Sequence, residues 1–335
     1  MAKRKQINCA MIGYGGAFNM GRAHSNMINA VEGMQTVAVC DVDKTRTAQA
    51  AEDFPGIRTY NDVKDLLKDD DVDLCVVILP HNIHAEVAIQ CSKAGKHVIV
   101  EKPMCITIKQ ATAMIEAARK SGTMLTVYHN RRRDGDFKAI LHTVESGIIG
   151  EVFHVEMWMG GYSAPRDWWR ANKEISGGAF YDWGAHFLDW LLQVMPGKID
   201  TVTGFYHKRV WHTMTNEDHV EACIRFDNGA VANVQQSSIA AVGKPRWRIL
   251  GTEGALVHAG DHLDLHVFKN GIPVHGTIPF EDSDYQTWYN NIGDHLLRGA
   301  DLMVKPEQAR RVIGIIECAE KSSESGKAMK VPYED

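Results

Sequence analysis

The sequence contains no long apolar run and no large excess of charge of one sign. Its longest apolar runs, such as Cys75–Leu79, are far shorter than the ~20 residues that a membrane-spanning helix needs. The net charge of −5 gives the chain no overall positive field that would attract nucleic acid or acidic lipid. We therefore expect no nucleic-acid partner and no membrane association.

The sequence also has no closely spaced cysteine pair, and its first apolar stretch does not predict a secretory leader. Seven cysteines are scattered along 335 residues and none forms a CxxC pair, which favours a reducing compartment. The apolar stretch Ile7–Ile12 after Lys3, Arg4 and Lys5 is too short for the core of a signal peptide. A cytoplasmic location is the resulting expectation. With 44% hydrophobic and 24% charged residues, the composition is that of a globular protein, and the length predicts two domains.

The first half of the chain alternates short apolar runs with helical patterns. The runs are rich in β-branched residues and apolar throughout, as buried parallel strands are. They are Ile7–Ile12, Thr36–Cys40, Leu74–Leu79, His97–Val100 and Met124–Tyr128. Between them, Ala85–Ala94 and Ile108–Lys120 each place apolar residues on one helical face and each end at a glycine. This alternation predicts an α/β fold with a doubly wound parallel sheet.

The second half has the pattern of an antiparallel sheet packed with helices. Asp227-Asn228-Gly229 and Asn270-Gly271 each separate two apolar runs, which is a strong hairpin signal. A strand is predicted over Gly150–Trp158, and helices over Asp182–Val194 and Pro306–Ser325. The last alternating strand ends near residue 128. We therefore predict a nucleotide-binding domain at 1–128 and a substrate-binding and oligomerisation domain at 129–335.

A glycine turn follows the first predicted strand. Gly13, Gly15 and Gly16 allow the backbone to approach a pyrophosphate at the start of a helix, although a tight structural turn would use the same residues. Asp41 ends the second strand, where a carboxylate can accept hydrogen bonds from both adenosine ribose hydroxyls and repel a 2′-phosphate. The competing interpretation is that Asp41 caps the next helix. Because Lys44 and Arg46 follow closely, the pattern favours NAD over NADP without excluding NADP.

Glu101-Lys102-Pro103 stands at the carboxyl end of a buried strand, the edge at which open α/β sheets bind ligands. Lys102 is therefore either a functional cation or a surface lysine.

Asp182, His186 and Asp189 are spaced to share one face of a helix. A carboxylate that fixes an imidazole suits proton transfer near neutral pH. The same three side chains also fit a metal site with two carboxylates and one imidazole, or a capping cluster beside a core histidine. The spacing alone leaves all three interpretations open.

Several motifs together resemble the Gfo/Idh/MocA oxidoreductase family, in the order in which that family carries them. They are IGYGG…GRAH at 12–24, PHNIHAE at 80–86, AGKHVIVEKP at 94–103 and GGAFYDWGAHFLDW at 177–190. Shorter matches extend the resemblance over nearly the whole chain. The glycine loop departs from the usual pattern, because Phe18, Asn19 and Met20 lengthen it.

The resemblance implies a Rossmann domain followed by an α/β domain with an open, mostly antiparallel sheet that forms a homodimer or homotetramer. It also implies reversible hydride transfer between NAD and a secondary hydroxyl of a sugar, glycoside or inositol-like polyol. In that family's pattern Lys102 hydrogen-bonds the reacting hydroxyl, His186 is the general base or acid, and Asp182 orients both substrate and histidine. No metal is expected.

The resemblance and the motif positions together give the candidate contacts. The candidate cofactor-binding residues are Gly13, Gly15, Gly16, Ala17, Phe18, Asp41, Pro80, Asn82, His84, Glu101, Lys102 and Asn130. The candidate substrate-binding residues are Lys102, Arg131, Trp169, Arg170, Asp182 and His186, with Arg132 as a further substrate or cofactor contact. For Arg131–Arg133 a solvated basic turn is an equal alternative, and Trp168 and Trp169 equally suit a packed core.

Two other functions fit the same residues. An NAD-dependent glycosidase would oxidise C3 of its substrate transiently and leave the net amount of NAD unchanged. A non-catalytic NAD-binding regulator would use the fold without turnover, although the Lys102, Asp182 and His186 set argues against it.

Overall fold

The computed structural model describes residues 6–16 and 18–334. The chain divides into two compact units. The first contains the described residues up to His129 together with Tyr285–Arg310, and the second contains Asn130–Asp284 and the residues from Arg311 onward. The sequence-based division at residue 128 assigns the whole of 129–335 to one domain, whereas Tyr285–Arg310 clusters with the first unit.

A parallel sheet forms the core of the first unit. Within the described residues its strands are β1 (Ile7–Ile12), β2 (Met34–Cys40), β3 (Arg58–Tyr60), β4 (Leu74–Val77), β5 (His97–Val100) and β6 (Leu125–Val127). They lie in the order β3-β2-β1-β4-β5-β6, and every neighbouring pair is parallel. The predicted doubly wound sheet is confirmed. β3 escaped prediction because its three residues are polar or half-exposed and form no apolar run.

Helices cover these strands and those of the second unit. In the described chain they are α1 (Met20–Asn29), α2 (Lys44–Asp53), α3 (Val63–Leu66), α4 (His84–Lys93), α5 (Ile108–Ser121), α6 (Gly135–Glu145), α7 (Lys173–Ser176), α8 (Trp183–Val194), α9 (Gln286–Arg298) and α10 (Pro306–Ser325). α10 has the predicted bounds and buries the predicted face of Ala309, Val312, Ile313, Ile316 and Ala319. None of these helices combines the length and apolar character that a membrane crossing requires.

A mixed sheet organises the second unit. Its strands in the described chain are β7 (Val152–Gly160), β8 (Ile199–His207), β9 (His219–Phe226), β10 (Val231–Ser237), β11 (Trp247–Gly251), β12 (Gly254–His258), β13 (His262–Lys269) and β14 (Ile272–Pro279). The order is β14-β13-β12-β11-β7-β10-β9-β8, antiparallel except for the pair β7 and β10. Both predicted hairpins are present. At the second, Asn270 and Gly271 have φ of 53° and 79°, as a two-residue hairpin turn of the favoured hand requires.

Candidate active site

The glycine loop after β1 contains two glycines with positive φ, Gly13 and Gly15. Gly13 has φ of +91°, and an added Cβ would lie 2.1 Å from the carbonyl oxygen of Ile78. At Gly21, in α1, an added Cβ would lie 2.6 Å from the ring of Tyr14. Gly21 therefore permits the close helix–strand packing that the third glycine of a dinucleotide fingerprint provides, despite the longer loop. The chain can thus bring its backbone close to a pyrophosphate here.

Asp41 follows β2 and is tied to this glycine loop. One carboxylate oxygen accepts the Tyr14 N–H at 2.8 Å, and the other accepts the Asp43 N–H at 2.9 Å. The cap of α2 is Asp43, whose side chain accepts the Thr45 N–H. The interpretation of Asp41 as a helix cap is therefore wrong. Since a carboxylate offers about four acceptor positions, Asp41 retains acceptor capacity for ribose hydroxyls.

Arg46 brings a positive charge to the same loop. An added Cβ at Gly16 would lie 2.1 Å from Nη2 of Arg46, so the guanidinium lies against the loop backbone. Phe18 is exposed at the end of the loop. Ala17, also predicted to contact the cofactor, lies outside the described residues. The loop therefore presents glycine backbone flanked by one carboxylate and one guanidinium.

The segment after β4 contains three predicted cofactor contacts, and they differ in exposure. Pro80 is half-buried and precedes a 3-10 turn at His81–Ile83, whose Asn82 is exposed. The ring of His84 is fully buried, with Nδ1 2.8 Å from the Pro103 carbonyl oxygen and Nε2 2.7 Å from that of Leu79. His84 therefore links the two loops that follow β4 and β5 and presents no ring atom to solvent.

Glu101 and Lys102 follow β5, and the Lys102–Pro103 peptide is cis. The Glu101 carboxylate accepts the Lys102 N–H at 3.0 Å and lies 2.9 Å from Nε2 of His24. Burial raises the pKa of Glu101, but the hydrogen bond with His24 and the charge of Lys102 outweigh it and hold that pKa below its usual value. Glu101 is therefore an anion beside the side chain that the resemblance identifies as the catalytic ammonium.

In the second unit, α8 carries Asp182 and His186. Asp182 is the N-cap residue, but its side chain makes no capping hydrogen bond and instead accepts one from Arg170 at 3.0 Å. The capping-cluster interpretation is therefore wrong. His186 is only 5% exposed, and its ring lies 5.6 Å from that of Trp183. The carboxylate and the imidazole thus come from successive turns at the beginning of one helix.

Asp189, the third residue predicted to share a helical face with Asp182 and His186, has a different role. Asp189 is buried and receives two hydrogen bonds from Arg132, at 2.8 and 2.6 Å. Because this carboxylate is neutralised by a guanidinium, the metal-site interpretation loses one of its three ligands. Arg132 is likewise buried in this pair, so the solvated-turn interpretation of Arg131–Arg133 is wrong for this residue.

Arg131 remains accessible and lies near His186's helix. Its guanidinium carbon is 4.5 Å from the centre of the Trp183 ring, and Nη1 donates to Asp134 at 2.8 Å. Asn130 begins the same 3-10 turn and is half-buried. Arg246, which the sequence analysis did not single out, lies 5.8 Å from the same Trp183 ring. The aromatic ring beside His186 thus contacts two cations.

Trp169 and Arg170 precede α8 and stack together. The Arg170 guanidinium carbon lies 4.8 Å from the Trp169 ring centre and 5.3 Å from that of Trp168. Both tryptophans are half-buried, so neither belongs to the closed core. Arg170 therefore connects this aromatic pair to the carboxylate of Asp182, and three predicted substrate contacts meet in one place.

Two side chains missed by the sequence analysis hold this segment. Asn216 donates to the Arg170 carbonyl oxygen at 2.7 Å, and Glu217 accepts the Ala179 N–H at 2.9 Å. Glu217 also pairs with Lys173 at 2.6 Å. These residues stand in the loop before β9, about 40 residues from their partners, in a polar stretch with no motif. No signal in the sequence could have identified them.

Comparison with known proteins agrees with this architecture. Residues 7–129 match the model of an oxidoreductase family with an NAD-binding Rossmann fold, and residues 137–257 match the GFO/IDH/MocA C-terminal domain. A scyllo-inositol 2-dehydrogenase (NADP(+)) of Bacillus subtilis is 26% identical over 98% of this chain and 96% of its own.

A second relative and one solved structure also support an NAD-binding oxidoreductase architecture. A scyllo-inositol 2-dehydrogenase (NAD(+)) of the same species is 27% identical over 75% of this chain and 73% of its own. The crystal structure of an NAD-binding protein from Listeria innocua superimposes with a TM-score of 0.87 and 28% identity over 98% of both chains. The chain belongs to the GFO/IDH/MocA oxidoreductase family and is an NAD(P)-dependent dehydrogenase.

Proposed function

We propose that this dehydrogenase oxidises a secondary hydroxyl of a sugar, glycoside or inositol-like polyol with NAD, and that Lys102, Asp182 and His186 are its proton-transfer and positioning set. The observation that carries the proposal is the buried imidazole of His186 one helical turn after the accessible carboxylate of Asp182. The two relatives named as scyllo-inositol dehydrogenases support a cyclic polyol.

Each member of the set has one task. Lys102 donates a hydrogen bond to the reacting hydroxyl oxygen, and its charge stabilises the alkoxide that develops there. His186 takes the hydroxyl proton during oxidation and returns it during reduction. Asp182, oriented by Arg170, fixes the substrate and the imidazole.

The residues around the glycine loop fit a dinucleotide. Gly13 cannot be replaced without moving the loop, because an added Cβ would collide with the main chain of Ile78. Gly13, Gly15 and Gly16 would hold the pyrophosphate, Asp41 the adenosine ribose, and the segments after β4 and β5 the nicotinamide half. NAD, when bound, supplies the hydride acceptor for the oxidation.

Asp41 makes NAD the preferred cofactor in this proposal. We expect Asp41→Asn to raise the ratio of kcat/KM for NADP to that for NAD about 10- to 100-fold, because it removes a negative charge that repels the 2′-phosphate while Arg46 remains as a counter-charge. Arg46→Gln is expected to change the ratio in the opposite direction. Steady-state kinetics with both cofactors measures the ratio.

Asp43→Asn is the matched control for this experiment. Asp43 is an exposed carboxylate in the same turn, and asparagine caps a helix as well as aspartate does. The control is expected to leave the ratio within about threefold of wild type. A change as large as that of Asp41→Asn would show that any nearby charge acts alike and would contradict a specific role for Asp41.

A substrate screen tests the activity itself. Wild-type protein is incubated with NAD and a panel of inositols, free sugars and glycosides, and both NADH and released aglycone are followed. NADH formation with a polyol supports the dehydrogenase. Aglycone release without NADH would instead establish the glycosidase, and NAD binding without turnover on the whole panel would favour the regulator.

We further propose a cytoplasmic homodimer or homotetramer formed through the sheet of the second unit. Helices cover one sheet face, and the other carries a cross-strand row of Phe205, Glu221, Gln235 and Trp158. Phe205 is 48% exposed, which favours burial against another copy. All seven cysteines are free, as a reducing compartment favours. A monomer mass in light scattering would contradict the assembly.

A further inference from the structure

A buried group of three hydrogen-bonded side chains lies behind Lys102, and the mechanism above does not use it. We call Tyr289, His24 and Glu101 the His24 triad. His24 in α1 is fully buried, with Nδ1 2.5 Å from the Tyr289 hydroxyl and Nε2 2.9 Å from a Glu101 carboxylate oxygen. Tyr289 in α9 is also fully buried. The three residues come from distant parts of the sequence and converge within the first unit.

The ionised carboxylate of Glu101 fixes the direction of its hydrogen bond with His24. Glu101 is ionised, since the His24 hydrogen bond and the Lys102 charge outweigh burial and lower its pKa. A carboxylate only accepts, so Nε2 of His24 must carry the proton. Burial and the neighbouring Tyr128 and Glu101 raise the pKa of Tyr289 well above its ordinary value, so its hydroxyl keeps its proton. The neutral Tyr289 hydroxyl is therefore the hydrogen-bond partner of Nδ1, 2.5 Å away.

Aromatic packing restricts the imidazole ring of His24, which lies between Tyr289 and Glu101. The His24 ring lies 4.5 Å from the Tyr128 ring in an edge-on contact, and Tyr128 makes a second edge-on contact with Trp288 at 4.8 Å. An imidazole enclosed in this way, with a partner for each nitrogen, has one orientation. The proton on Nε2 is therefore presented to Glu101 at a fixed position.

Glu101 connects the fixed imidazole of His24 to the main chain of Lys102. One carboxylate oxygen accepts from His24, and the other accepts the Lys102 main-chain N–H at 3.0 Å. With both oxygens engaged, the carboxylate cannot rotate without losing both hydrogen bonds. The charge of Lys102 also favours ionised Glu101, so the two residues interact electrostatically as well as through the main chain. A change at Tyr289 can therefore reach Lys102 through two intervening hydrogen bonds.

We propose that Tyr289 and His24 are positioning residues for Lys102 and act through Glu101. This inference rests on the catalytic role proposed for Lys102. Lys102 is expected to interact more strongly with the transition state than with the substrate. Loss of a residue that positions Lys102 should therefore change kcat more than KM. The expected signature of the triad is therefore a fall in kcat with little change in KM.

The test uses variants that keep the shape of the buried site. Tyr289→Phe removes one hydroxyl, and we expect kcat to fall about tenfold with KM for the polyol within twofold of wild type. His24→Gln keeps an N–H donor for Glu101 and is expected to retain more activity than His24→Leu, which has none. Tyr206→Phe is the matched control, because Tyr206 is a half-buried tyrosine whose hydroxyl donates to a main-chain carbonyl oxygen, that of Ile316.

The outcomes separate this inference from the proposed function. If Lys102→Ala keeps its turnover, the catalytic assignment fails and the triad has nothing to position. If Lys102→Ala is inactive while Tyr289→Phe keeps wild-type kcat, or loses kcat only in step with thermal stability and with Tyr206→Phe, the triad is structural and the inference alone is overturned. Equal activity of His24→Gln and His24→Leu would overturn it as well.

Discussion

Replacement of His186 by alanine is expected to lower kcat for polyol oxidation about 10²–10⁴-fold, the usual contribution of a general acid or base. Lys102→Ala should lower kcat about 10²–10³-fold, because it removes a positive charge that stabilises the developing alkoxide. The His186→Ala variant is expected to bind NADH with near wild-type affinity, because His186 is not among the predicted cofactor contacts. Single-turnover kinetics with the best polyol of the screen, together with NADH fluorescence titration, measures the two effects separately.

Surface residues of the same types serve as controls. His142→Ala in α6 and Lys109→Ala in α5 remove an exposed imidazole and an exposed ammonium from well-ordered helices. These changes should leave kcat within about twofold, as most surface substitutions away from special features do. If His186→Ala or Lys102→Ala turned over substrate as fast as these controls, that residue would have no catalytic role.

Disruption of the buried pair of Arg132 and Asp189 should produce the largest change in stability. The two side chains are 7% and 3% exposed and share two hydrogen bonds. We expect Arg132→Leu to lower the free energy of unfolding by about 3–5 kcal/mol, because it leaves the carboxylate of Asp189 buried without its counter-charge. Denaturant unfolding followed by fluorescence measures the change, and a lower thermal midpoint should accompany it.

A double variant and an exposed pair make this experiment specific. Arg132→Leu combined with Asp189→Leu removes both charges and should recover much of the lost stability. Arg298→Leu breaks an exposed pair with Asp294 in α9 and should cost about 0–1 kcal/mol. If Arg132→Leu cost no more than Arg298→Leu, the pair would contribute little to stability. If the double variant were less stable than the single, lost packing rather than the unpaired charge would be the cause.

Local patterns predicted most of the regular structure. The bounds of α10 and both hairpin turns could be identified because capping residues, Asn-Gly turns and apolar periodicity act within a few neighbouring positions. The doubly wound sheet followed from the alternation of buried strands and helices. β3 was missed because Arg58–Tyr60 lies beside β2 without the apolar sequence that marks a central strand.

The candidate site was predictable in its residue types but not in their pairings. Asp189 carried the spacing of a ligand or catalytic acid, yet its partner Arg132 stands 57 residues away. Glu101 was predicted as a cofactor contact, and its partner His24 is 77 residues away. Such pairings depend on which segments the fold brings together. A single sequence holds no information on that proximity, so the protein partners of His84 and Arg132 could not be predicted.

Tyr285–Arg310 belongs to the first unit, and this determines which fragment of the enzyme could fold as a separate nucleotide-binding unit. A fragment ending near residue 129 would contain every strand of the parallel sheet but would lack α9. Trp288 and Tyr289, both fully buried, would be missing. The rings of His24 and Tyr128, which they cover, would become exposed to solvent. Such a fragment should be prone to aggregation. A soluble nucleotide-binding module would require residues 285–310 to be fused back onto it through a short linker.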